Sequence, residues 1–528
     1  MVRVAKSSLL VWLLLALTAV ALLPGLGTLL VEREQEMRVI LTARHMAEGG
    51  SWLIPEYGGA LRLQKPPLMY WIVASAFRVA GTTHSEFVAR LPTAAFGGAL
   101  VLLLFVGGRH LIGRRRAWLA ALTAASSYLI LRFACYSETD IPLAFFTAAA
   151  TLSAFVALKS RCPVRWWLLA GFNAGLGFMI KGPAALALPL LAVVVYAAVT
   201  PRARHDLRLV PIACALLLFA LIAAPWYGYI GLAARAREAA GADVGKELSA
   251  LLVKSGHEKP FYFYLYTLPG TLVPWGLLLP AAAVDLWRRA RHHAGPRFIL
   301  AWLISGLVVL SAIKSKQDHY CTLLLVPSCL SIGFFLHHAV TPVASWSSRV
   351  VHIFAIATLV LLAALGAVLV AGLGIPHWAH GPLTASCGAI LLAGAAVASL
   401  PWVTRARFAR LVAIAGLTLV ASSIYVATLH EIHEPTSLYR QFIRESSPLM
   451  TQSSSVFIIG RRANLLRYYL DRPPQAALTF EDAWAQCRPG DAVVLSCESG
   501  KPPIPARESF LPALSVRRDA FEVSLYIR

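Results

Sequence analysis

Apolar runs long enough to cross a bilayer recur along most of this chain, and its polar residues gather in the intervals between them. The runs fall at roughly 8–30, 87–109, 117–135, 140–158, 166–180, 182–199, 209–231, 263–287, 298–313, 319–339, 350–372, 384–400 and 411–428. Each approaches the twenty or so residues that a membrane helix needs, so the pattern predicts about 13 spans. The intervals alternate in character. Arg114–Arg116, Lys159–Arg165, Arg202–Arg208, Arg288–Arg297 and Arg405–Arg410 all fall on one side if the amino terminus, with Arg3 and Lys6, is cytoplasmic. Basic loops favour the cytoplasmic face, and five agree on one topology. The intervals 31–86, 136–140, around 181, 232–262, 314–318 and everything after 429 then lie outside.

Two outer intervals are long. In 31–86, "EMRVILTARHMAEGG" places Met37, Ile40, Leu41 and Met46 at helical spacing and ends on Gly49-Gly50, which predicts an amphipathic helix along the membrane surface. The interval 232–262 is also polar and helical, ending in "GHEKPFYFYLY". After Tyr425 the texture changes: "SSSVFIIG", "DAVVLSC" and "FEVSLYIR" are β-type runs separated by "RRANLLRYYL" and "EDAWAQC", which read as helices. The expected organisation is a membrane domain over 1–430 and a small extracytoplasmic α/β domain over 431–528. No GxGxxG or GxxxxGK[ST] motif marks a nucleotide site, and no internal repeat supports a repeat-built transporter. The first apolar run is too long for a signal-peptide core and is read as a retained helix.

Composition agrees with the pattern. The chain has 528 residues, 58% hydrophobic and 14% charged, a profile of integral membrane proteins. Its net charge of +22 sits largely in the short basic loops, which removes the case for a nucleic-acid partner. The eight cysteines form no CxxC pair and no zinc spacing. Cys487 and Cys497, in the polar tail, are open to a disulfide if that tail lies outside the cytoplasm. "HEIHE" at 430–434 lacks the HExxH spacing and reads as solvated helix-end residues.

The chemistry collects where the outer intervals meet the membrane. The first carries Glu32, Glu34, Glu36 and Arg38, then Gln64-Lys65-Pro66-Pro67 and Tyr70-Trp71. The others bring Tyr136, Glu138 and Asp140; Lys181; His257, Glu258 and Lys259; and Lys314, Lys316, Asp318, His319 and Tyr320. Ionisable groups at a membrane boundary are costly unless paired or functional. Lysines and arginines at one level suit a phosphate-bearing lipid, and a carboxylate beside them suits deprotonation of a hydroxyl. Pro66-Pro67 holds Lys65 on a rigid turn.

The blocks "REQEMRVILTARHMAEGGSWLIPEYGGALRLQKPPLMYWIVASAF", "SEFVARLP", "YSETDIPLAFF", "MIKGPAALALP" and "KSKQDHYCTLLLVP" resemble, in order, the C-type membrane glycosyltransferases (GT-C fold) of the aminoarabinose transferase and protein O-mannosyltransferase superfamily. The tail resembles the bacterial, aminoarabinose-transferase-like branch. The resemblance implies a polytopic α-helical enzyme of the cytoplasmic membrane. It would move a sugar from a polyprenyl (undecaprenyl) phosphate to lipid A, another glycan or a protein on the outer face. The family's first-loop acidic pair is Asp-Glu, followed two residues later by Arg. Here Gln35-Glu36 and Arg38 stand there, so Glu36 matches the second acid and Glu34 is the nearest substitute for the first. The resemblance makes Glu36 the preferred base, Glu34 the second choice and Asp140 a further carboxylate of the site. Lys65 matches the phosphate-binding lysine and Lys181 a second donor cation, with Arg38, Tyr70, Lys316, His319 and Tyr320 lining the donor site. Gln64 replaces the Glu that in this branch joins a later His, matched by His257, in holding a metal. No cofactor is required on this reading, and a divalent metal at that pair stays open. A transporter or flippase for a lipid-linked sugar is the alternative. It predicts mid-membrane charges and broken helices in symmetric pairs.

Overall fold

The computed structural model describes residues 31, 33–57, 60–235, 259–340, 346–372, 382–400 and 407–433, part of a first helix between residues 11 and 27, and isolated pieces of the carboxy-terminal segment that include four strands. Six helices are long and apolar enough to cross a membrane: Glu86–Ile112, Asp140–Lys159, Leu209–Leu232, Ala294–Ala312, Asp318–His337 and Trp346–Ala371. Helices also cover the expected spans at 166–180, 182–199, 384–400 and 411–428, as Pro163–Lys181, Ala184–Ala198, Pro382–Ser399 and Arg407–His433. The chain is a multi-pass membrane protein.

Two expected spans are interrupted by residues outside any helix. The run 117–135 divides into Arg114–Ala125 and Tyr128–Phe133, and the run 263–287 divides into Phe263–Thr271, a 3-10 turn at Trp275–Leu278, and Leu279–Ala290. The physical reason is local competition for backbone groups. Ser126 and Ser127 turn their hydroxyls back onto the carbonyls of Leu122 and Ala124, at 2.7 and 2.8 Å, and Pro274 has no N–H to continue a helix. The two breaks meet. Tyr128 N–H donates to Val273 O at 3.1 Å, and the indole of Trp275 donates to Ser126 Oγ at 2.9 Å. Each interruption satisfies polar groups that the other leaves open, the condition for irregular backbone at membrane depth.

The first outer interval holds more helix than its pattern predicts. Glu34–Ala47 forms as expected and stops where Gly49 takes a φ of +111°. Met37, Ile40 and Met46 are buried and Leu41 half-buried. A second helix, Leu68–Ala80, follows directly from Pro67. At 13 residues it reaches about 20 Å, too short to span, so it packs on Glu34–Ala47 and on Glu86–Ile112. Between them, β1 (Glu56–Tyr57) and β2 (Ala60–Leu61) pair antiparallel. The loop that precedes them is tied down by Trp226 Nε1 donating to Leu53 O at 2.9 Å and Trp71 Nε1 donating to Trp52 O at 2.6 Å.

Deeper in the bundle, Pro163–Lys181 lies close against Leu209–Arg235. A Cβ on Gly171 would sit 2.2 Å from the carbonyl oxygen of Ala215, so the approach depends on a residue without one.

The carboxy-terminal segment carries a four-stranded sheet of β3 (Val456–Gly460), β4 (Ala492–Glu498), β5 (Leu514–Arg518) and β6 (Phe521–Ile527), in the order β3-β4-β6-β5. β3 runs parallel to β4, and the other neighbours are antiparallel. β5 was not expected: in "LSVRR" Leu514 and Val516 alternate correctly, but the arginines end the apolar pattern after three residues. Cys487 is buried, and Cys497 falls within β4. The expected helix "RRANLLRYYL" and most of 232–262, with His257 and Glu258, lie outside the described residues.

Candidate functional site

A three-residue link joins Asp140–Lys159 to Pro163–Lys181, so the two helices pack antiparallel and the first residue of one meets the last residue of the other. Both charges suit their ends: Asp140 lies at a helix amino terminus and Lys181 at a carboxy terminus, where Gly182 at φ +86° stops the helix. Lys181 Nζ donates to Asp140 Oδ1 at 2.7 Å. The 3-10 turn Asp318–Leu324 completes the group. His319 Nε2 stands 4.0 Å from Asp140 Oδ1, and the Lys181 ammonium lies 5.2 Å from the centre of the Tyr320 ring. The rings of His319 and Tyr320 meet edge-on at 4.7 Å. Lys65 also acts electrostatically on Asp140, and its Nζ donates to Gln35 Oε1 at 3.1 Å. Two lysines and an imidazole from three separate intervals thus converge on one carboxylate: Lys65, Lys181 and His319.

A second, buried arrangement lies beside it. Arg90, five residues after the Ser85 cap of Glu86–Ile112, grips Glu36 with Nε to Oε1 at 2.7 Å and Nη2 to Oε2 at 3.1 Å. Both side chains are wholly buried. Ser137 N–H donates to the same Glu36 oxygen at 2.9 Å, and Arg90 Nη1 donates to Leu26 O at 3.0 Å. This clamp ties the first helix, the outer helix and the second outer turn together. It corrects the preference for Glu36 as base. A carboxylate sealed from solvent, with both oxygens engaged by a bidentate guanidinium and one also by a backbone N–H, is held in its ionised form away from any acceptor. The helix does send Glu34 and Glu36 to different faces, but the exposed one is Glu34, paired with Arg38 one turn on.

The remaining expected residues separate. Tyr70 is buried, and its hydroxyl accepts from Arg62 Nε at 2.8 Å, so it positions a buried arginine rather than facing a donor. Lys316 is buried, with Nζ donating to Ile313 O at 2.6 Å, and so holds its own turn. Gln64 is exposed. Its neutral amide offers a metal no anionic ligand, and among the described residues no group of three His, Cys, Asp or Glu gathers.

Sequence reasoning missed Arg90 and Arg33 as members of the site and named Glu138 without a role. Arg33 Nε lies 2.8 Å from Glu138 Oε1, and its guanidinium stacks on Tyr136 at 4.9 Å and Phe133 at 5.4 Å. Glu138 Oε1 has no well-aligned hydrogen-bond donor despite that contact. Burial, opposed by Arg33, pushes its carboxyl up to about 7. Spacing held a faint signal for Arg90, since "SEFVARLP" puts an arginine within an otherwise apolar helix face.

Comparison with known proteins gives the architecture its class. The fold is that of the C-type membrane glycosyltransferases. The structure superposes on that of ArnT from Cupriavidus metallidurans bound to undecaprenyl phosphate with a TM-score of 0.77, covering 98% of this chain and 97% of that one at 18% identity. Residues 64–229 match the family model described as dolichyl-phosphate-mannose-protein mannosyltransferase. Among curated relatives, the undecaprenyl phosphate-alpha-4-amino-4-deoxy-L-arabinose arabinosyl transferase of Serratia proteamaculans is 28% identical over 349 residues, and that of Aeromonas hydrophila 31% over 299. These matches cover 65% and 54% of this chain, and the chain spans 62% and 52% of those relatives' own lengths. The chain thus has the fold of the C-type glycosyltransferases, and over part of its length it resembles the arabinosyl transferases in sequence.

Proposed function

We propose that the chain transfers a sugar from a polyprenyl phosphate to an acceptor hydroxyl or phosphate at the outer face of the cytoplasmic membrane. The observation that carries this reading is the convergence of Lys65, Lys181 and His319 around Asp140. In the proposed reaction an acceptor oxygen attacks the anomeric carbon. The bond from that carbon to the phosphate oxygen breaks, its electron pair passes to the phosphate, and the acceptor proton passes to a carboxylate. Lys65 and Lys181 stabilise the charge that grows on the departing phosphate, which is where the barrier is lowered. Transfer needs no metal in this scheme. Purified protein in detergent should consume polyprenyl-phosphate sugar and release polyprenyl phosphate with no membrane gradient. A transporter would leave the donor intact, and that result would end the transferase reading.

Glu138 is the carboxylate we assign to the acceptor proton. Gln35 cannot take a proton, Glu36 is committed to Arg90, and Asp140 is committed to Lys181. A base works best when its pKa lies near the working pH, and Glu138 stands at about 7. The active form is ionised, so kcat should rise with pH through about 7 and level off above it. Glu138→Gln should lose roughly 10²–10⁴-fold in kcat and lose that limb of the profile. A Glu138→Gln variant with full activity and an unchanged profile would move the role to Glu34.

The same reading sets the site, the first interval and the carboxy-terminal segment 431–528, as a separate domain, on the non-cytoplasmic face. Cysteines placed at Glu56 and Arg507 should label with impermeant reagent from outside intact cells. Labelling from the cytoplasmic side alone would invert the topology.

A further inference from the structure

At the opposite end of the bundle a group of arginines is organised in a way that topology alone does not require. Glu86–Ile112 carries Arg90 of the clamp near one end and delivers the chain, about 40 Å away, to Arg114–Ala125. Leu325–Val340 packs on that helix, and Leu279–Ala290 and Trp346–Ala371 pack on Leu325–Val340 in turn. The Arg116 guanidinium lies 4.4 Å from the centre of the Phe334 ring, and Arg289 lies 5.8 Å from that same ring. Arg288 lies 5.5 Å from the centre of Trp346, whose ring is 5.5 Å from Phe335. Two guanidinium groups share one aromatic ring, and a third sits over the next.

Their donors are largely unclaimed. Asp285 accepts from Arg289 Nε at 3.2 and 3.3 Å, which leaves the outer nitrogens of Arg289 open. Among the described residues no oxygen accepts a hydrogen bond from Arg116 or Arg288. Burial, and then Arg289 itself, hold the Arg116 guanidinium below its usual range, so the two repel across a partly desolvated gap. An arginine that merely marks a cytoplasmic loop extends into water. These stand 4.4–5.8 Å from aromatic ring centres, with one carboxylate among three cations. Beside them Trp287 is 56% and Val284 46% exposed, and exposed tryptophan at the end of a membrane-protein helix suits the headgroup level.

We propose that Arg116, Arg288 and Arg289 bind the phosphate of an anionic phospholipid headgroup above Phe334 and Trp346. Guanidinium donors match phosphate oxygens bidentately, and the rings fix their planes in advance. Basic pockets between membrane helices are suited to anionic lipid headgroups. The site is remote from the Lys65–Lys181 group and does not depend on the transfer reaction.

Native mass spectrometry of the full chain in neutral detergent, with added phosphatidylglycerol, tests the assignment. Wild-type protein should retain phosphatidylglycerol in preference to phosphatidylcholine. The Arg116→Gln/Arg289→Gln double variant should lose retention by about tenfold or more, as expected for two charge-assisted contacts. Arg288→Gln, at an exposed residue whose loss leaves the packing intact, should lose part of it. The control is Arg202→Gln/Arg208→Gln, which removes the same charge from exposed residues of another basic loop and should retain lipid as wild type does. Equal loss in both doubles would reduce the effect to bulk charge and overturn the proposal. Displacement of the lipid by inorganic phosphate at matching concentration would also overturn it, because the site would then be one for free phosphate.

Discussion

Arg90→Met is expected to destabilise the protein by about 3–5 kcal/mol, because it leaves the Glu36 carboxylate buried without its cation. Water cannot reach the clamp to compensate, since both side chains are wholly buried. The loss should appear as a lower thermal midpoint in detergent and a reduced folded yield. Glu36→Gln should fall in the same direction, leaving Arg90 charged and short of a partner while the amide still accepts from Ser137 N–H. A joint replacement by two apolar residues of similar volume should recover part of the loss, since removing both members of a buried pair is far less harmful than removing one. This pattern separates a structural from a catalytic Glu36. A Glu36→Gln protein that melts as wild type, binds donor and turns nothing over would return the base to Glu36 and remove it from Glu138.

Lys65→Ala and Lys181→Ala should each lower turnover by roughly 10- to 150-fold, the worth of a charge-assisted contact of about 1.5–3 kcal/mol. The effect should fall on kcat more than on KM, because the charge these lysines meet is larger on the departing phosphate than on the bound donor. The two variants should differ in stability. Lys65 is half-buried and bonds to an exposed Gln35, so its loss disturbs little. Lys181 holds the buried Asp140, and its loss leaves that carboxylate with His319 at 4.0 Å as its nearest remaining partner. Lys181→Arg should therefore restore stability before it restores rate. Near wild-type turnover in both alanine variants, measured on purified protein, would remove the donor phosphate from this site.

Much of this was legible in the chain because it is local. The outer helix follows from four apolar positions at helical spacing and a Gly-Gly stop, and the spans follow from length and hydropathy. The pairing of Asp140 with Lys181 is nearly local too, since a short link between two helices brings those ends together. What escaped the sequence is what depends on distant partners. Glu36 and Glu34 are alike in sequence, and only Arg90, 54 residues away, decides that one is sealed and the other exposed. The breaks at Ser126-Ser127 and Val273-Pro274 lie inside continuous apolar runs, where hydropathy has no resolution. The serine pair and the proline were the only local signs. Tyr70 and Lys316 misled because an aromatic and a lysine beside a polar turn look the same whether they face a ligand or a neighbouring carbonyl.

The meeting of the two breaks also bears on how the chain is made. A ribosome releases Ser126 and Tyr128 long before Val273 and Trp275, so the first interrupted segment enters the membrane with a Tyr128 N–H whose acceptor has not been synthesised and a Ser126 oxygen still without the indole that donates to it. Unsatisfied groups in hydrocarbon are costly, so until the second segment arrives the first must stay near water, lipid headgroups or the insertion machinery. The amino-terminal half therefore cannot reach its final packing alone, even though Lys65, Asp140 and Lys181 have already emerged. Completion of the fold waits on a proline-interrupted segment some hundred and fifty residues downstream, which makes that late segment the step that locks the early one in place.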